Sequence, residues 1–263
     1  MKALEGKTIL VMHKDDQRVE LCGIPVSRVS FEDVLSEMDD CIRKRSKRRY
    51  ISITNTESMY HAVKIPEHRD FIHNATFSLC DGIGIVIAGR FLGYKVPRLN
   101  GPVLVLKCCE YGLIRGWRHF FYGAKEGIAA LMAEKLKEKF PGLIVAGTCS
   151  HPHRPLTEEE DKEVVDLINK SRPDILWVGL GLLRQERWIA EHIDKISVPW
   201  MSGVGGAFDC HSEAVMWTPK WIQRIGMEWL FRFCLQPRTR FKRLMWSYIF
   251  MFRAIWKGLV QKF

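Results

Sequence analysis

Short apolar segments alternate with longer amphipathic segments along most of the chain. The short segments have the length and side chains of buried strands, and the longer ones have helical patterning. Repeated strand and helix units of this kind predict a mainly parallel sheet covered by helices on both faces, so the predicted fold class is α/β. The predicted strands are residues 50–54, 76–80, 119–122, 143–148, 175–178 and 200–204, with one or two more within residues 19–29.

The starts of two predicted helices carry capping signals. Ser30 is followed three residues later by Asp33, and Thr157 is followed by Glu160 at the same spacing. A side-chain oxygen at the first position caps the first helical turn, and the carboxylate returns a hydrogen bond. Pro66 is expected to end the helix that precedes it.

One acidic residue lies where a strand is expected to turn into a buried helix. Within the segment ATFSLCDGIGIVIAGR, Asp81 and Gly82 follow the strand directly. Ligands bind at the carboxyl edge of open parallel sheets, so Asp81 is a candidate reacting group, and Gly82 lets a ligand approach the backbone. The alternative is that Asp81 merely caps the next helix, a position that Asp favours.

Polar or glycine-rich turns follow several of the predicted strands. A glycine brings backbone amides close to a phosphate, and Gln185 and Glu186 at a helix start can hydrogen-bond a sugar or base. Any one such turn is common between a strand and a helix and does not by itself indicate a ligand site. Five of them at one sheet edge predict a ligand-binding edge. The five are Asn55, Asp81–Gly82, Tyr122–Gly123, residues 179–186 and residues 203–209.

Composition and motifs exclude several classes of protein. A hydrophobic share of 47% and a charged share of 27% are typical of a folded chain. The eight cysteines include no CxxC pair and lie mostly in apolar segments, so we expect reduced core residues in a cytoplasmic protein. The apolar run near the N-terminus is too short for a secretory signal. The dinucleotide, phosphate-loop, nucleophile-elbow and HExxH patterns are missing, as is Asp-x-Asp, so neither a cofactor nor a metal is expected.

The positive charge of the chain is concentrated at its C-terminal end. Residues 218–263 contain ten Lys and Arg against one acid, which accounts for +9 of the net charge of +10. Such a segment predicts contact with lipid headgroups, nucleic acid or a diphosphate.

Aromatic and aliphatic residues crowd the same segment from residue 244 onwards. Arg253 and Lys257 interrupt them well short of the ~20 apolar residues that a spanning helix needs. We therefore expect a helix lying in the membrane interface, and the alternative is a helix packed on the domain or on a second subunit. The residues expected to contact the membrane are Trp246, Phe250, Arg253, Trp256 and Lys257.

Six ordered motifs between residues 21 and 243 resemble the WecG/TagA/CpsF family of bacterial glycosyltransferases. They are CDGIGIV, PRLNGP, FFYGAKEG, PDILWVGLGLLRQERWI, GVGGAFD and GMEWLFRFCLQPRTRFKR. The resemblance implies inverting transfer of N-acetylmannosamine, or a related hexose such as glucose, from a UDP-sugar to a polyprenyl-diphosphate-linked sugar. The setting would be cell-envelope or exopolysaccharide synthesis, peripheral on the cytoplasmic face of the plasma membrane. The implied architecture is a Rossmann-like α/β domain over residues 1–212 and a helical membrane-associating appendage over residues 213–263.

The resemblance also assigns roles to individual residues. It makes Asp81 the general base and gives Arg232, Arg238 and Arg240 the task of stabilising the UDP diphosphate in place of a metal. Together with the strand-end analysis, it predicts a set of substrate-binding residues. These are Asn55, Gly82, Asn100, Gly101, Tyr122, Gly123, Gly181, Gln185, Glu186, Asp209, Arg232, Arg238 and Arg240.

The sequence departs from the family pattern at several positions. Ile53 replaces a Thr, so a hydroxyl contact to the substrate is lost or comes from Thr54 or Thr56. The family's Pro-Lys and Arg-Ala-Pro are replaced by Leu183-Arg184 and Trp217-Thr218-Pro219, and the arginines after Pro237 are spaced differently. These departures keep the reaction class but leave the donor and acceptor sugars open.

Two other classes of function compete with this interpretation. A nucleotide-binding module without transferase activity would use the same sheet edge, but the expected fingerprint is missing. A nucleic-acid-binding protein would explain the basic tail by phosphate neutralisation, but it would not explain the apolar density of residues 244–256. We therefore expect no nucleic-acid partner. Homo-oligomerisation is left open.

Overall fold

The computed structural model describes residues 18–45, 48–150, 152, 154–216, 218–219, 221–222, 227–235 and 237–260. Within these residues, the side chains of residues 232, 238–240, 243 and 257–260 are outside the description.

A six-stranded, fully parallel sheet forms the centre of the described fold. Its strand order is β4-β3-β8-β7-β5-β6, and β1 and β2 form a separate antiparallel hairpin. The predicted α/β class and parallel sheet are therefore confirmed. The strands are β1 Arg18–Leu21, β2 Ile24–Ser27, β3 Arg49–Thr54, β4 Phe77–Cys80, β5 Arg118–Gly123, β6 Ile144–Cys149, β7 Ile175–Gly179 and β8 Trp200–Gly203.

Helices follow most of the strands. In the described residues of the α/β part, the helices are α1 Phe31–Lys44, α2 Thr56–Lys64, α3 Pro66–Asn74, α4 Ile83–Phe91, α5 Gly101–Gly112, α6 Ile128–Lys139, α7 Glu158–Ser171, α8 Arg184–His192 and α9 Gly206–His211. A single 3₁₀ turn, Leu113–Arg115, follows α5. Beyond residue 213, the described residues include the helices α10 Glu228–Leu235 and α11 Pro237–Val260.

Local signals set several of the helix ends. Ser30 and Asp33 form the predicted capping box of α1, and Thr157 and Glu160 form that of α7. Pro66 lies beyond the last residue of α2, but it is also the first residue of a separate helix, α3. Proline suits the first helical position because its missing N–H has no intrahelical partner there. The helix after Pro66 is a feature that sequence analysis missed.

The core lies on both faces of the sheet. Phe120 and Tyr122 of β5 pack into one hydrophobic cluster, whereas Phe121 between them packs into the other. This alternation is expected of a strand that is covered on both sides. Five of the eight cysteines are buried, as expected of small core residues. The sheet is therefore a rigid layer whose strand ends hold fixed positions.

Helix α11 packs directly onto the α/β core. Its Phe250 and Ala254 are almost completely buried, at 1% and 0% exposure. They belong to the same hydrophobic cluster as Phe120 and Tyr122 of β5. The Thr56 hydroxyl of α2 donates a hydrogen bond of 2.7 Å to Ser247 Oγ of α11. The expectation that Phe250 contacts lipid is therefore not met, because its side chain points into the domain. Across the described residues, we find no helix with the length and hydropathy required to cross a bilayer.

Candidate active site

The carboxyl ends of all six parallel strands surround one cleft of about 1290 Å³, which we call the strand-end cleft. Each of the six strand ends contributes at least one residue to its wall. The predicted convergence of the strand-end turns is therefore confirmed, although the turn after β5 contributes different residues from those expected. One wall residue from each strand end, in chain order, is Asn55, Asp81, Lys125, Ser150, Gly181 and Gly205.

Asp81 lies one residue beyond β4 and lines the cleft. Its backbone N–H donates to Thr54 O at 2.9 Å, and its backbone carbonyl accepts from Arg98 Nε at 3.2 Å. The residue that caps α4 is Gly82, and no side chain of the described residues caps that helix. The alternative reading of Asp81 as a helix cap is therefore wrong. Asp81 therefore lines the strand-end cleft and does not cap α4.

Two predicted substrate-binding asparagines also cap helices. Asn55 Oδ1 accepts from Ser58 N at 2.9 Å at the start of α2, and Asn100 Oδ1 accepts from Val103 N at 2.9 Å at the start of α5. Both residues line the cleft. Because each oxygen is used by a cap, the Nδ2 group is the part of each side chain suited to a ligand.

The departure at Ile53 changes the polarity of the wall. Ile53 lines the cleft. Thr54 is buried, with its hydroxyl 3.0 Å from Ser78 Oγ, and the Thr56 hydroxyl donates to Ser247. Neither threonine belongs to the described lining. The replacement of the family's Thr therefore leaves an apolar patch beside Asn55.

Gln185 and Glu186 have different roles. Gln185 lines the cleft, and its Nε2 donates to Glu186 Oε1 at 2.9 Å. Gln185 Oε1 accepts from Gly205 N at 3.1 Å, which ties α8 to the turn after β8. A Cβ on Gly203 would lie 2.7 Å from Gln185 side-chain carbons, so only glycine fits beside this amide. Glu186 is buried behind Gln185 and is absent from the described lining, so it orients Gln185 instead of contacting the ligand itself.

The environment of Glu186 favours its protonated form. Burial raises the pKa of Glu186 from 4.5 to about 7, the hydrogen bond from Gln185 partly offsets this, and the nearby Glu57 carboxylate adds to the rise. Glu57 lines the cleft and is itself 8% exposed. Glu186 therefore has a second buried acid, Glu57, close to it.

The other predicted residues divide into two groups. Gly82, Gly101, Gly181 and Asp209 line the cleft, although Asp209 lies on α9 and not in a turn. Tyr122 is fully buried in the core, and Gly123 packs so closely on Gly179 that a Cβ would lie 2.9 Å from its carbonyl carbon. These two residues shape the sheet and are absent from the described lining. Their place is taken by Ala124, Lys125 and Glu126.

Most charged residues of the cleft wall were not predicted from the sequence. Five cationic side chains from the α/β part line the cleft together with six acids, and Arg98 and Arg154 are paired with Glu228 and Glu160. The cations provide groups that can bind a diphosphate. Four of the five cations lie in the motifs PRLNGP, FFYGAKEG and PDILWVGLGLLRQERWI, which are the signal that could have identified them. The five are Arg98, Lys125, Arg154, Arg184 and Arg187. The side chains of Arg232, Arg238 and Arg240, predicted for this task, are outside the described residues.

The segment beyond residue 213 contributes to the cleft wall. The Arg98 guanidinium donates to the Glu228 carboxylate, and Glu228 and Trp229 of α10 line the cleft. Arg98 therefore connects the Asp81 backbone with the first turn of α10. Among the described residues, no group of three or more His, Cys, Asp and Glu side chains could hold a metal ion.

The fold and this cleft are those of an α/β protein with a ligand-sized cleft at the carboxyl edge of a parallel sheet. The chain belongs to the WecG/TagA/CpsF family of glycosyl transferases, whose sequence profile matches residues 19–263. It is therefore a glycosyltransferase, as the motifs predicted.

Three curated relatives have the same name, N-acetylglucosaminyldiphosphoundecaprenol N-acetyl-beta-D-mannosaminyltransferase. The protein from Bacillus spizizenii is 28% identical over 227 residues, covering 84% of this chain and 86% of the relative. A Staphylococcus aureus protein is 24% identical over 238 residues, covering 90% and 91%. The Bacillus subtilis protein is 28% identical over 196 residues, covering 74% of each chain.

Proposed function

We propose that this protein transfers N-acetylmannosamine, or a related hexose such as glucose, from a UDP-sugar to a polyprenyl-diphosphate-linked sugar with inversion. The product would enter cell-envelope or exopolysaccharide synthesis. The observation that carries the proposal is the strand-end cleft, where Asp81 and five cationic side chains meet in one space. The named relatives support the acceptor class, because their names specify a sugar on a diphosphate-linked undecaprenol.

In this proposal Asp81 is the general base. The acceptor hydroxyl oxygen attacks the anomeric carbon of the donor sugar while the Asp81 carboxylate accepts the hydroxyl proton. The bond from the anomeric carbon to the diphosphate oxygen breaks, and UDP leaves with the electron pair. A single displacement inverts the anomeric configuration. Two backbone hydrogen bonds of Asp81 hold the strand end that carries the carboxylate.

The leaving diphosphate is stabilised by cationic side chains in place of a metal. Arg98 lies on the segment between α4 and α5, Arg184 is the first residue of α8, and both line the cleft. Fixed positive charges stabilise the charge that develops on the leaving group. The contribution of Arg232, Arg238 and Arg240 remains a prediction.

We place the protein at the cytoplasmic face of the plasma membrane, held by one face of α11. Five of its exposed apolar side chains recur at helical spacing, and each of the five is 48 to 70% exposed. Such a face suits the interface between headgroups and acyl chains. Trp246 lies outside this face, since its ring packs 5.9 Å from Tyr60 and 4.8 Å from His61 of α2. The face consists of Phe241, Met245, Tyr248, Phe252 and Trp256.

This interpretation keeps two further parts of the sequence-based hypothesis. Trp256 and the exposed Arg253 remain candidate membrane contacts, and the side chain of Lys257 is outside the described residues. The division into residues 1–212 and 213–263 stays a prediction, with the appendage docked on the α/β part through α11.

The decisive experiment combines a panel of UDP-sugars with a synthetic lipid-diphosphate-linked N-acetylglucosamine acceptor. Mass spectrometry of the acceptor should show the addition of one N-acetylhexosamine or hexose unit. The folded protein's failure to transfer any sugar would overturn the proposal. Salt-sensitive binding to DNA without binding to anionic vesicles would favour the nucleic-acid alternative.

A further inference from the structure

We propose that Trp229 and Tyr248 form a binding site for the first isoprene units of the acceptor's lipid chain. This inference rests on the proposed function, because it concerns the lipid of the same acceptor. It adds a lipid subsite, built from aromatic side chains of α10 and α11, to the sugar and diphosphate sites of the strand-end cleft.

The first observation is the position of Trp229. Its side chain lines the cleft while remaining 38% exposed, so it stands where the cleft opens to the surface. Its neighbour Glu228 is held by Arg98, which fixes the first turn of α10 against the cleft. The indole ring is therefore a fixed apolar surface at the opening of a charged cleft.

The second observation is the continuity between Trp229 and α11. The rings of Trp229 and Tyr248 meet edge to face, with centroids 6.4 Å apart and planes at 83°. Tyr248 belongs to the exposed face of α11, on which Phe252 and Trp256 stack with centroids 6.4 Å apart. At 1.5 Å per helical residue, Tyr248 and Trp256 are about 12 Å apart along the axis. An aromatic surface therefore runs from the cleft wall along the helix.

The chemistry of the acceptor identifies what this surface binds. The acceptor sugar must reach Asp81, its diphosphate lies on the other side of that sugar, and the lipid leaves from the diphosphate. An isoprenoid chain that left a charged cleft into water would lose about 25 cal/mol for every Å² of apolar surface left exposed. Aromatic side chains at the opening of the cleft would cover this apolar surface and so avoid the unfavourable contact with water. A membrane-binding role alone would explain Phe252 and Trp256 but not Trp229, which faces the cleft.

The test compares two water-soluble acceptors without vesicles or detergent. Both carry N-acetylglucosamine diphosphate, one with a short prenyl chain and one with a short ethylene-glycol chain of equal length. For the full-length protein, we expect kcat/KM to be about tenfold higher with the prenyl acceptor, equivalent to about 1.4 kcal/mol. Tyr248→Ala should bring this ratio close to one, whereas Tyr248→Phe, which keeps the ring, should preserve it.

A matched control is Ile114→Ala, which removes an apolar side chain that is 89% exposed on the 3₁₀ turn before β5. This variant should retain the wild-type ratio. A wild-type ratio near one, or an unchanged ratio in both Tyr248→Ala and Trp229→Leu, would overturn the lipid site while leaving the transferase proposal intact. Transfer to neither acceptor would overturn both proposals.

Discussion

The backbone of Asp81 is held at the strand end, and its side chain lines the cleft. Its N–H and its carbonyl oxygen both take part in hydrogen bonds, and a change from carboxylate to amide leaves these two bonds in place. Asp81→Asn should therefore retain the fold and UDP binding while the rate of transfer falls by about 10²- to 10⁴-fold, the usual contribution of a positioned base. Single-turnover rates and UDP titration measure the two effects separately.

Asp166→Asn is the matched control for this substitution, since Asp166 is an exposed acid on α7, remote from the cleft lining. Its rate should equal that of the wild-type protein. If Asp81→Asn were folded and turned over normally, the general base would have to be another acid of the cleft, with Glu57 and Asp209 the first to test.

The second prediction at this scale concerns the pH dependence of stability. Burial raises the pKa of Glu186 to about 7 in the folded protein, from 4.5. The folded state therefore holds the proton more tightly, and this stabilisation is complete below about pH 4.5 and is lost as the pH rises through about 7. In Glu186→Gln this dependence disappears. The difference in unfolding free energy between the two proteins should change by about 1 to 3 kcal/mol across that window.

Chemical denaturation at a series of pH values measures this difference. Buried histidines with lowered pKa, such as His68 and His211, titrate in both proteins, so their contribution cancels. A difference that is independent of pH would show that Glu186 is already ionised in the folded protein. The same variant keeps a hydrogen-bonding partner for Gln185, so the turn after β8 should retain its position.

At the scale of elements, the features that depend on a few neighbouring residues were predicted correctly from the sequence. Capping boxes fixed the starts of α1 and α7, and apolar runs located the strands, because both signals lie within a few residues. The cleft was harder to derive. Arg98, Lys125 and Arg154 are far apart along the chain, and only the strand order β4-β3-β8-β7-β5-β6 brings them together.

Dependence on contacts between distant segments also explains why Tyr122 and Phe250 were assigned to the wrong surroundings from the sequence. Tyr122 ends an apolar strand, and its side chain could have pointed to either the core or the site. The packing of Trp188 beside its ring, with centroids 4.6 Å apart, places it in the core. Phe250 has the composition of a membrane-facing residue, but the rotation of α11 about its axis depends on contacts with α2 and α4. Such contacts cannot be read from helix periodicity alone.

The link between α10 and the cleft gives a prediction about these elements. The Arg98–Glu228 pair is less than a quarter exposed on both sides, so its charge-assisted hydrogen bond is only partly screened. Glu228→Ala should therefore destabilise the protein by about 1 to 2 kcal/mol. Arg98→Ala should destabilise it more, because it also loses the hydrogen bond to the Asp81 carbonyl oxygen. The double variant should be scarcely less stable than Arg98→Ala alone, because that variant has already lost the pair with Glu228.

Chemical denaturation of the wild-type protein, the two single variants and the double variant measures the four unfolding free energies of the double-mutant cycle. Hydrogen exchange of the α10 amides shows whether the loss of stability is in α10. Faster exchange in α10 without a change in the strands would assign the effect to docking of the appendage. Additive destabilisation would mean that the two side chains act independently, in which case Arg98 would serve the cleft alone.

At the scale of the whole molecule, the proposed function requires the charged residues of the cleft to hold a diphosphate without a metal. Five cationic side chains line the cleft, and Asp-x-Asp is missing from the sequence. Transfer should therefore survive excess EDTA, with the same rate after addition of Mg²⁺. Loss of activity on chelation and its recovery with Mg²⁺ or Mn²⁺ would show that a metal bridges the diphosphate.

The last prediction concerns how the molecule reaches a membrane-bound acceptor. Removing α11 would expose Phe250 and Ala254 of the core, so a truncation would confuse membrane binding with unfolding. Surface substitutions avoid this difficulty. Phe252→Ser with Trp256→Ser removes two side chains that are 70% and 62% exposed, and it leaves the buried face of α11 unchanged. The double variant should lose most of its binding to anionic vesicles, because apolar burial adds to the attraction between Lys or Arg and anionic lipid.

Sedimentation with vesicles of mixed anionic and neutral lipid measures this loss, and thermal unfolding checks that the fold is retained. Leu167→Ser with Ile114→Ser is the matched control, since both side chains are exposed and lie outside α11. The control should sediment like the wild-type protein. Residual binding of the Phe252/Trp256 variant should fall steeply with salt, because only the electrostatic part remains. Unchanged sedimentation of that variant would transfer the membrane contact to another surface and leave the aromatic face of α11 to the acceptor lipid alone.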